Sequence, residues 1–73
     1  MVRTKVITVI SKILKKKKKE INLKLKMGDI KEWDSLAQLN IYIELTKVFK
    51  YKKYDMKKLS KVKSVNDWIN YFN

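Results

Sequence analysis

The chain has 73 residues and a formal net charge of +12, and it contains neither cysteine nor histidine. A chain this short forms one small domain, residues 1–73, and it lacks disulfides, thiol nucleophiles, imidazole bases and the usual zinc ligands. With one glycine and no proline, it also lacks the turn residues that sheets need at their hairpins. The composition therefore predicts an all-α protein that is not an enzyme and has no metal site.

The positive charge is unevenly distributed along the chain. Residues 28–46 carry four acids against one base, and only one of the 19 basic residues in the chain is arginine, Arg3. Arginine is the residue best suited to bidentate phosphate and base contacts. A lysine-rich solvated surface therefore explains most of the charge. The alternative is a small basic helical module that binds nucleic acid or an anionic membrane surface.

Two further expectations concern location and assembly. The apolar residues near the N-terminus are interrupted by polar ones, and no small-residue cleavage site follows them. No stretch approaches the length of a transmembrane span. We therefore expect a cytoplasmic protein, and like-charge repulsion favours a monomer.

The first predicted element is an amphipathic helix over residues 2–14. Its apolar residues fall on one side of a helical wheel, and they are Val2, Val6, Ile7, Val9, Ile10, Ile13 and Leu14. Five consecutive lysines at residues 15–19 follow. We interpret them as a solvated helix end and loop, with a docking patch for an acidic partner, nucleic acid or anionic lipid as the alternative.

A long loop is predicted to follow the lysines. Apolar and polar residues alternate from residue 20 to residue 27, but a lone strand would have no partner, so we expect an extended loop whose apolar side chains lie across the helices. Gly28 and Asp29 mark a turn. Ile30 and Trp33 are predicted to anchor the loop in the core.

The central helix is predicted to begin at Asp34 or Ser35 and to run to Phe49, with Asp34 as its N-cap. Apolar residues cover about two thirds of its circumference, which predicts a helix surrounded on several sides, as in the middle of a bundle. The remaining exposed ribbon would carry Ala37, Asn40, Glu44 and Lys47.

Two shorter helices are predicted at the C-terminal end. Asp55 is expected to cap the first, which has Met56 and Leu59 pointing inward and ends near Lys61. The last helix opens on a capping-box-like pair and then repeats apolar residues at i, i+3, i+4 and i+7; the residues are Ser64 and Asp67, then Val65, Trp68, Ile69 and Phe72. The aromatic residues Trp33, Tyr42, Tyr54 and Trp68 are interpreted as core and rim packing.

This order of elements, with Trp33-Asp34-Ser35-Leu36 at the head of the central helix, resembles the acyl carrier protein family, the phosphopantetheine-binding carrier domains. Ile43-Glu44, Phe49 and the Ser64-Val65-Asn66-Asp67 opening of the last helix also match, and the resemblance spans nearly the whole chain. It implies a small four-helix bundle with three main helices, one short helix and a long loop between the first two. Trp33 in place of the family's commoner glycine resembles free-standing carriers of surface-polysaccharide and specialised pathways.

The resemblance implies a covalent cofactor on Ser35, 4'-phosphopantetheine, attached by a phosphopantetheinyl transferase that uses coenzyme A and magnesium. The thiol of the phosphopantetheine arm would carry acyl or aminoacyl groups as thioesters. Asp34 and Leu36 flank the attachment point. Acyl-loading, aminoacyl-loading and acyl-transferring enzymes would be the partners. They would contact the exposed ribbon of Ala37, Asn40, Glu44 and Lys47.

Elementary chemistry agrees with this implication. A phosphodiester at a helix N-terminus lies where free N–H groups and the helix dipole favour negative charge, and a chain without cysteine must import a thiol. The alternative is that Ser35 is only a second capping residue beside Asp34. Typical fatty-acid carriers are acidic, whereas here Glu44 is the only acid on the ribbon. We therefore expect a specialised pathway, with partners whose docking surfaces are acidic or largely apolar.

Overall fold

The computed structural model describes residues 1–50 and 56–73, without the side chain of Met56. Within these residues the chain forms four α-helices, α1 (Val2–Leu14), α2 (Ser35–Phe49), α3 (Met56–Ser60) and α4 (Val65–Phe72), and no strand. The all-α prediction is confirmed. The predicted cap at Asp55, the inward position of Met56 and the packing of Tyr54 lie outside the described residues.

Helix α1 ends before the lysine run begins. Lys15 adopts a left-handed conformation with φ 57° and ψ 43°, and the backbone N–H of Lys16 donates to the Ser11 carbonyl at 3.0 Å. The chain then forms a single 3₁₀ turn, Lys18–Glu20. Four of the five lysines are exposed and Lys16 is half-buried, so the run is a helix terminus and a loop, as its repulsive charges predict.

The segment after this turn is a loop that lies along the start of α4, and it is not extended throughout, because the Leu25 N–H donates to the Asn22 carbonyl at 3.1 Å and closes a turn. Ile21 is buried, and Leu23, Leu25 and Met27 pack partly buried against the core. The first two N–H groups of α4, those of Val65 and Asn66, donate to the Leu25 and Leu23 carbonyls at 2.9 and 3.0 Å. The loop therefore supplies acceptors that the helix itself cannot provide, and the prediction of a loop is confirmed.

Contacts along the helices give their relative directions. Lys16, just after α1, pairs with Glu32, just before α2, at 3.2 Å, and Lys5, near the start of α1, lies over the ring of Phe49, the last residue of α2. Helix α1 is therefore antiparallel to α2. Phe49 stacks on Phe72 at the end of α4 with ring centroids 5.0 Å apart, so α2 and α4 end at the same side of the molecule.

One core lies between these elements. Its buried apolar residues come from α1, the long loop, α2, the α3–α4 connection and α4; they are Val6, Val9, Ile10, Leu14, Ile21, Trp33, Ala37, Ile41, Leu45, Val62, Val65 and Trp68. All four apolar positions of the last predicted helix pack in or against it. Leu59 of α3 also packs against this core, as predicted.

The prediction that α2 is surrounded on several sides is wrong. Its buried residues are only Ala37, Ile41 and Leu45, which follow one another at i, i+4 and i+8. Leu36, Leu39, Ile43 and Val48 remain exposed to 66%, 53%, 40% and 39%. An apolar residue on a helical wheel is consistent with burial but does not show which neighbour would cover it.

The predicted exposed ribbon also changes. Ala37 is only 8% exposed and belongs to the core, so the prediction that it is exposed on this ribbon is wrong. Asn40 and Lys47 are exposed and Glu44 is half-buried, so the exposed side of α2 is centred on the apolar residues Leu36 and Ile43 instead.

Candidate functional site

Ser35 is the first residue of α2, and Asp34 caps the helix. Asp34 has extended backbone angles, φ −101° and ψ −170°, and its Oδ1 accepts from the Ala37 N–H at 2.9 Å. Its carbonyl accepts from the Gln38 N–H at 3.0 Å. This is the expected geometry of an N-cap aspartate, so the predicted start of the helix is confirmed.

The Ser35 hydroxyl takes no part in this cap. The side chain is exposed and forms no hydrogen bond with any described residue, because Asp34 already accepts the N–H that a capping serine would use. The N–H groups of Ser35 and Leu36 likewise have no acceptor within residues 1–50 and 56–73. The start of α2 therefore presents one free hydroxyl beside two free donors.

Gln38, one turn into α2, fixes the position of this helix start. Its Oε1 accepts from the Trp33 indole N–H at 2.7 Å and from the Trp68 indole N–H at 3.4 Å. Its Nε2 donates to the Val62 carbonyl at 2.8 Å. One amide thus joins the long loop, α2, the α3–α4 connection and α4. The sequence does not predict this role, because the amide binds residues 24 and 30 positions away along the chain.

The turn before Ser35 is closed by backbone hydrogen bonds. The Gly28 N–H donates to the Trp33 carbonyl at 3.0 Å, and the Trp33 N–H donates to the Ile30 carbonyl at 3.1 Å. Gly28 has φ +94°, a conformation that glycine adopts without the penalty of a side chain. The predicted turn is confirmed, and Trp33 is the buried anchor that carries Ser35 into a fixed position.

A cavity of about 190 Å³ opens beside Ser35. It lies between α2 and α3, with the indole of Trp68 on one side, and its lining is mostly apolar; the lining residues are Ser35, Gln38, Leu39, Tyr42, Leu59 and Trp68. The Tyr42 and Trp68 rings are 6.3 Å apart and tilted by 31°. The cavity therefore offers an apolar surface within reach of the Ser35 hydroxyl.

The charges near Ser35 are largely committed to other groups. A hydrogen bond from the backbone N–H of Glu32 and its contact with Lys16 hold the pKa of the Glu32 carboxyl below its usual value. The Glu32 and Lys16 side chains lie 3.2 Å apart. On α2, Glu44 pairs with Lys47 at 3.6 Å. Three of the four residues predicted for partner binding share one side of α2. They are Asn40, Glu44 and Lys47, and the fourth, Ala37, is buried.

Two further observations concern metals and membranes. Among the described residues, no group of three or more aspartates and glutamates is placed to hold a metal ion. None of the helices in residues 1–50 and 56–73 combines the length and the apolar composition that crossing a bilayer requires.

No protein-family model matches the chain, and no curated protein sequence matches it.

Proposed function

We propose that the chain is a carrier protein, with 4'-phosphopantetheine attached covalently to the Ser35 hydroxyl. It would hold acyl or aminoacyl intermediates as thioesters and would serve a specialised biosynthetic pathway rather than general fatty-acid synthesis. The helices would form a four-helix bundle, and the protein would act as a cytoplasmic monomer. Its partners would be a phosphopantetheinyl transferase, which uses coenzyme A and magnesium, and the enzymes that load and transfer the cargo.

The observation that carries the proposal is the state of the Ser35 hydroxyl. It is exposed at the first position of a 15-residue helix, and Asp34 performs the capping in its place. A serine kept only for capping would be expected to accept an N–H of the first turn, as Ser64 does for α4. An exposed hydroxyl on a firmly held helix start is what a modifying enzyme requires.

The start of α2 also suits a phosphodiester. The free N–H groups of Ser35 and Leu36 and the positive end of the helix dipole favour negative charge at this position. Within the described residues, the nearby carboxylate of Glu32 is paired with Lys16, and Asp34 is turned to the Ala37 N–H. Both contacts reduce the repulsion that an added phosphate would meet.

The cavity beside Ser35 fits the rest of the arm. Leu39, Leu59 and Trp68 offer an apolar surface that could shelter an alkyl segment from water, and Gln38 lines it with an amide. When bound, the group supplies a thiol on a long flexible arm, which a chain without cysteine does not have. The residues of this chain hold and orient the arm, and the chemistry belongs to the partner enzymes.

The proposal is tested by intact-mass measurement after incubation with coenzyme A, magnesium and a promiscuous phosphopantetheinyl transferase. We expect one phosphopantetheine on the folded protein and none on Ser35→Ala. Ser60→Ala is the matched control, because Ser60 is also exposed, and it should be modified like the wild type. No addition with several transferases, or addition that persists in Ser35→Ala, would contradict the proposal.

The second candidate is a basic module that binds nucleic acid or an anionic membrane. If α1 bound a lipid surface, its apolar side would have to face the bilayer. In the structure, however, Val6, Ile10 and Leu14 on that side are buried in the core. α1 would have to leave the fold to bind in this way. Sequence-selective binding to nucleic acid that survives Ser35→Ala, but not replacement of the lysines at residues 15–19, would favour this candidate over the carrier.

A further inference from the structure

Exposed apolar side chains are concentrated on α2. Of the large apolar residues in the described part of the chain, five are exposed, and all but Met1 belong to this helix. Leu36, Leu39 and Ile43 follow one another at i, i+3 and i+7 and share one side of the helix, whereas Val48, near the end of α2, lies on the side that faces α1. A contiguous apolar surface of this kind marks an interaction site more often than scattered apolar residues do.

This surface continues into a groove between α1 and α2. The groove has a volume of about 560 Å³ and is separate from the cavity beside Ser35. Its apolar walls are Val9 and Ile13 from α1 and Ile43 and Val48 from α2. Its polar residues are Thr8, Lys12, Asn40 and Glu44. The groove is thus a recess with apolar walls between two antiparallel helices, with one cation and one anion on its sides.

Of the two charged residues that line this groove, only the cation, Lys12, has no ion-pair partner among the described residues. Glu44 is paired with Lys47 at 3.6 Å, whereas Lys12 forms no ion pair with any residue that the structure describes. The other described carboxylates are also engaged. Glu32 pairs with Lys16, and the remaining four accept backbone N–H groups; they are Glu20, Asp29, Asp34 and Asp67. A ligand of this groove would therefore meet Lys12 as the charge free to pair.

We propose that the groove between α1 and α2 binds an amphipathic helix of a partner protein that carries carboxylates beside its apolar stripe. The apolar stripe would pack on Ile13, Ile43 and Val48, and a carboxylate would pair with Lys12. Helix-in-groove recognition of this kind uses apolar anchors at i, i+3, i+4 and i+7. This binding site is independent of any modification of Ser35.

The residues of the groove disfavour three other ligands: a bilayer, a nucleic acid and a second copy of this chain. A nucleic acid would gain nothing from the apolar walls of the groove, and a planar bilayer surface does not fill a recess between two helices. A second copy of this chain would bring its own net charge of +12 and has its described carboxylates committed internally. A separate acidic partner is the one that satisfies both the apolar walls and Lys12.

The test uses the ¹⁵N-labelled protein and a synthetic helical peptide of about 18 residues, long enough to form a helix in water. The peptide carries leucines at i, i+3, i+4 and i+7 with glutamates beside them. One control peptide replaces the glutamates by lysines, and another contains the same residues in scrambled order. We expect chemical-shift changes confined to residues around Lys12, Ile13 and Ile43, and affinity about tenfold weaker for both control peptides.

Matched variants distinguish specific binding in the groove from the general electrostatic attraction of a basic protein for an acidic peptide. Lys12→Gln should weaken binding of the glutamate peptide about fivefold, whereas Lys24→Gln, an equal charge change outside the groove, should leave it within about twofold. Ile43→Ser should also weaken binding, because half-exposed Ile43 supplies apolar contact. Ser35→Ala should bind like the wild type, so this inference and the proposed modification can fail separately.

Equal effects of Lys12→Gln and Lys24→Gln would overturn the proposal, since the attraction would then be global. Shift changes spread over the whole surface would overturn it as well. So would equal affinity for the ordered and scrambled peptides. Tight, salt-sensitive binding to anionic vesicles that depends on Ile43, without binding to the peptide, would assign the groove to a lipid surface and reject the protein partner.

Discussion

Gln38 has the largest structural role of any single polar residue near Ser35. Its Oε1 accepts from both tryptophan indoles and its Nε2 donates to the Val62 carbonyl. Trp33 and Trp68 are fully buried, so their indole donors have no water to replace this partner. A buried donor that loses its acceptor costs far more than the net value of an ordinary hydrogen bond.

Gln38→Ala should therefore lower the free energy of unfolding by about 3 kcal/mol, because it leaves two buried indole N–H groups and one carbonyl without their partner. The measurement is urea denaturation followed by far-UV circular dichroism. Asn40→Ala on the exposed side of the same helix is the control and should change stability by less than about 0.5 kcal/mol. Similar effects for both variants would show that the amide does not hold the site together.

Residues whose roles are set by near neighbours in sequence could be predicted from the sequence. The Asp34 cap and the Ser64–Asp67 capping box involve groups at most a few residues apart, and both are present. The role of Gln38 could not be predicted, because its bonds join segments up to 30 residues apart. Such contacts depend on how the loop and α4 dock on α2, which no local rule describes.

At the scale of elements, α4 depends on its capping box. Asp67 Oδ2 accepts from the N–H groups of Lys63 and Ser64 at 2.9 and 3.1 Å, and the Asp67 N–H donates to Ser64 Oγ at 3.0 Å. Partial burial tends to raise the pKa of the Asp67 carboxyl, but the hydrogen bonds from Lys63 and Ser64 outweigh it and hold the pKa below its usual value. The ionised form therefore stabilises the folded state.

Asp67→Asn should be less stable than the wild type by about 1 kcal/mol at neutral pH, because the neutral amide is a weaker acceptor than the carboxylate. A lowered pKa means that this stabilisation is complete above the carboxyl's usual pKa and is lost as the pH falls through the folded-state value. The difference between the two proteins should thus be constant from pH 7 to about 5 and should shrink below about pH 4. Thermal unfolding at several pH values measures it, and a difference independent of pH would contradict the assignment.

Helix α2 offers a direct comparison between its two sides. Leu45 is fully buried, whereas Leu39 is more than half exposed, although both were apolar positions of the same predicted helix. The apolar pattern predicted the helix correctly but overestimated its burial. The described neighbours α1 and α4 fully cover the side of Ala37, Ile41 and Leu45 and leave Leu36 and Leu39 exposed.

Leu45→Ala should therefore cost about 3 kcal/mol of stability, through lost apolar burial and a cavity, whereas Leu39→Ala should cost less than about 1 kcal/mol. The substitution is identical in the two variants, so helix propensity cancels in the comparison. Urea denaturation of both variants provides the values. A large loss in Leu39→Ala would show that the exposed side of α2 contributes to the core after all.

At the scale of the whole molecule, the balance of charge is dominated by lysine. The chain carries a net charge of +12, and most of the described carboxylates accept backbone N–H groups instead of pairing with lysines. Long-range repulsion between the lysines therefore acts on the folded state with little local compensation. Such repulsion is weakened by salt because the Debye length shortens.

The melting temperature should accordingly rise when sodium chloride increases from about 20 mM to about 200 mM, since screening reduces repulsion more than it weakens the exposed ion pairs. A variant with glutamine at Lys18 and Lys19 has less repulsion to screen, so its melting temperature should rise by a smaller amount. Differential scanning calorimetry at a series of salt concentrations measures both. A melting temperature that falls with salt would mean that ion pairs, not repulsion, dominate.

The shared hydrogen-bond partner of the two tryptophans has a spectroscopic consequence. Both indoles are buried, both donate to Gln38, and Trp68 also lines the cavity beside Ser35. Tryptophan emission therefore comes from these two indoles alone, because the chain contains no other tryptophan. A molecule that enters the cavity would change the polarity around Trp68 and hence its emission. The fluorescence of Trp68 should therefore report on binding in the cavity beside Ser35, where the proposed cargo would lie.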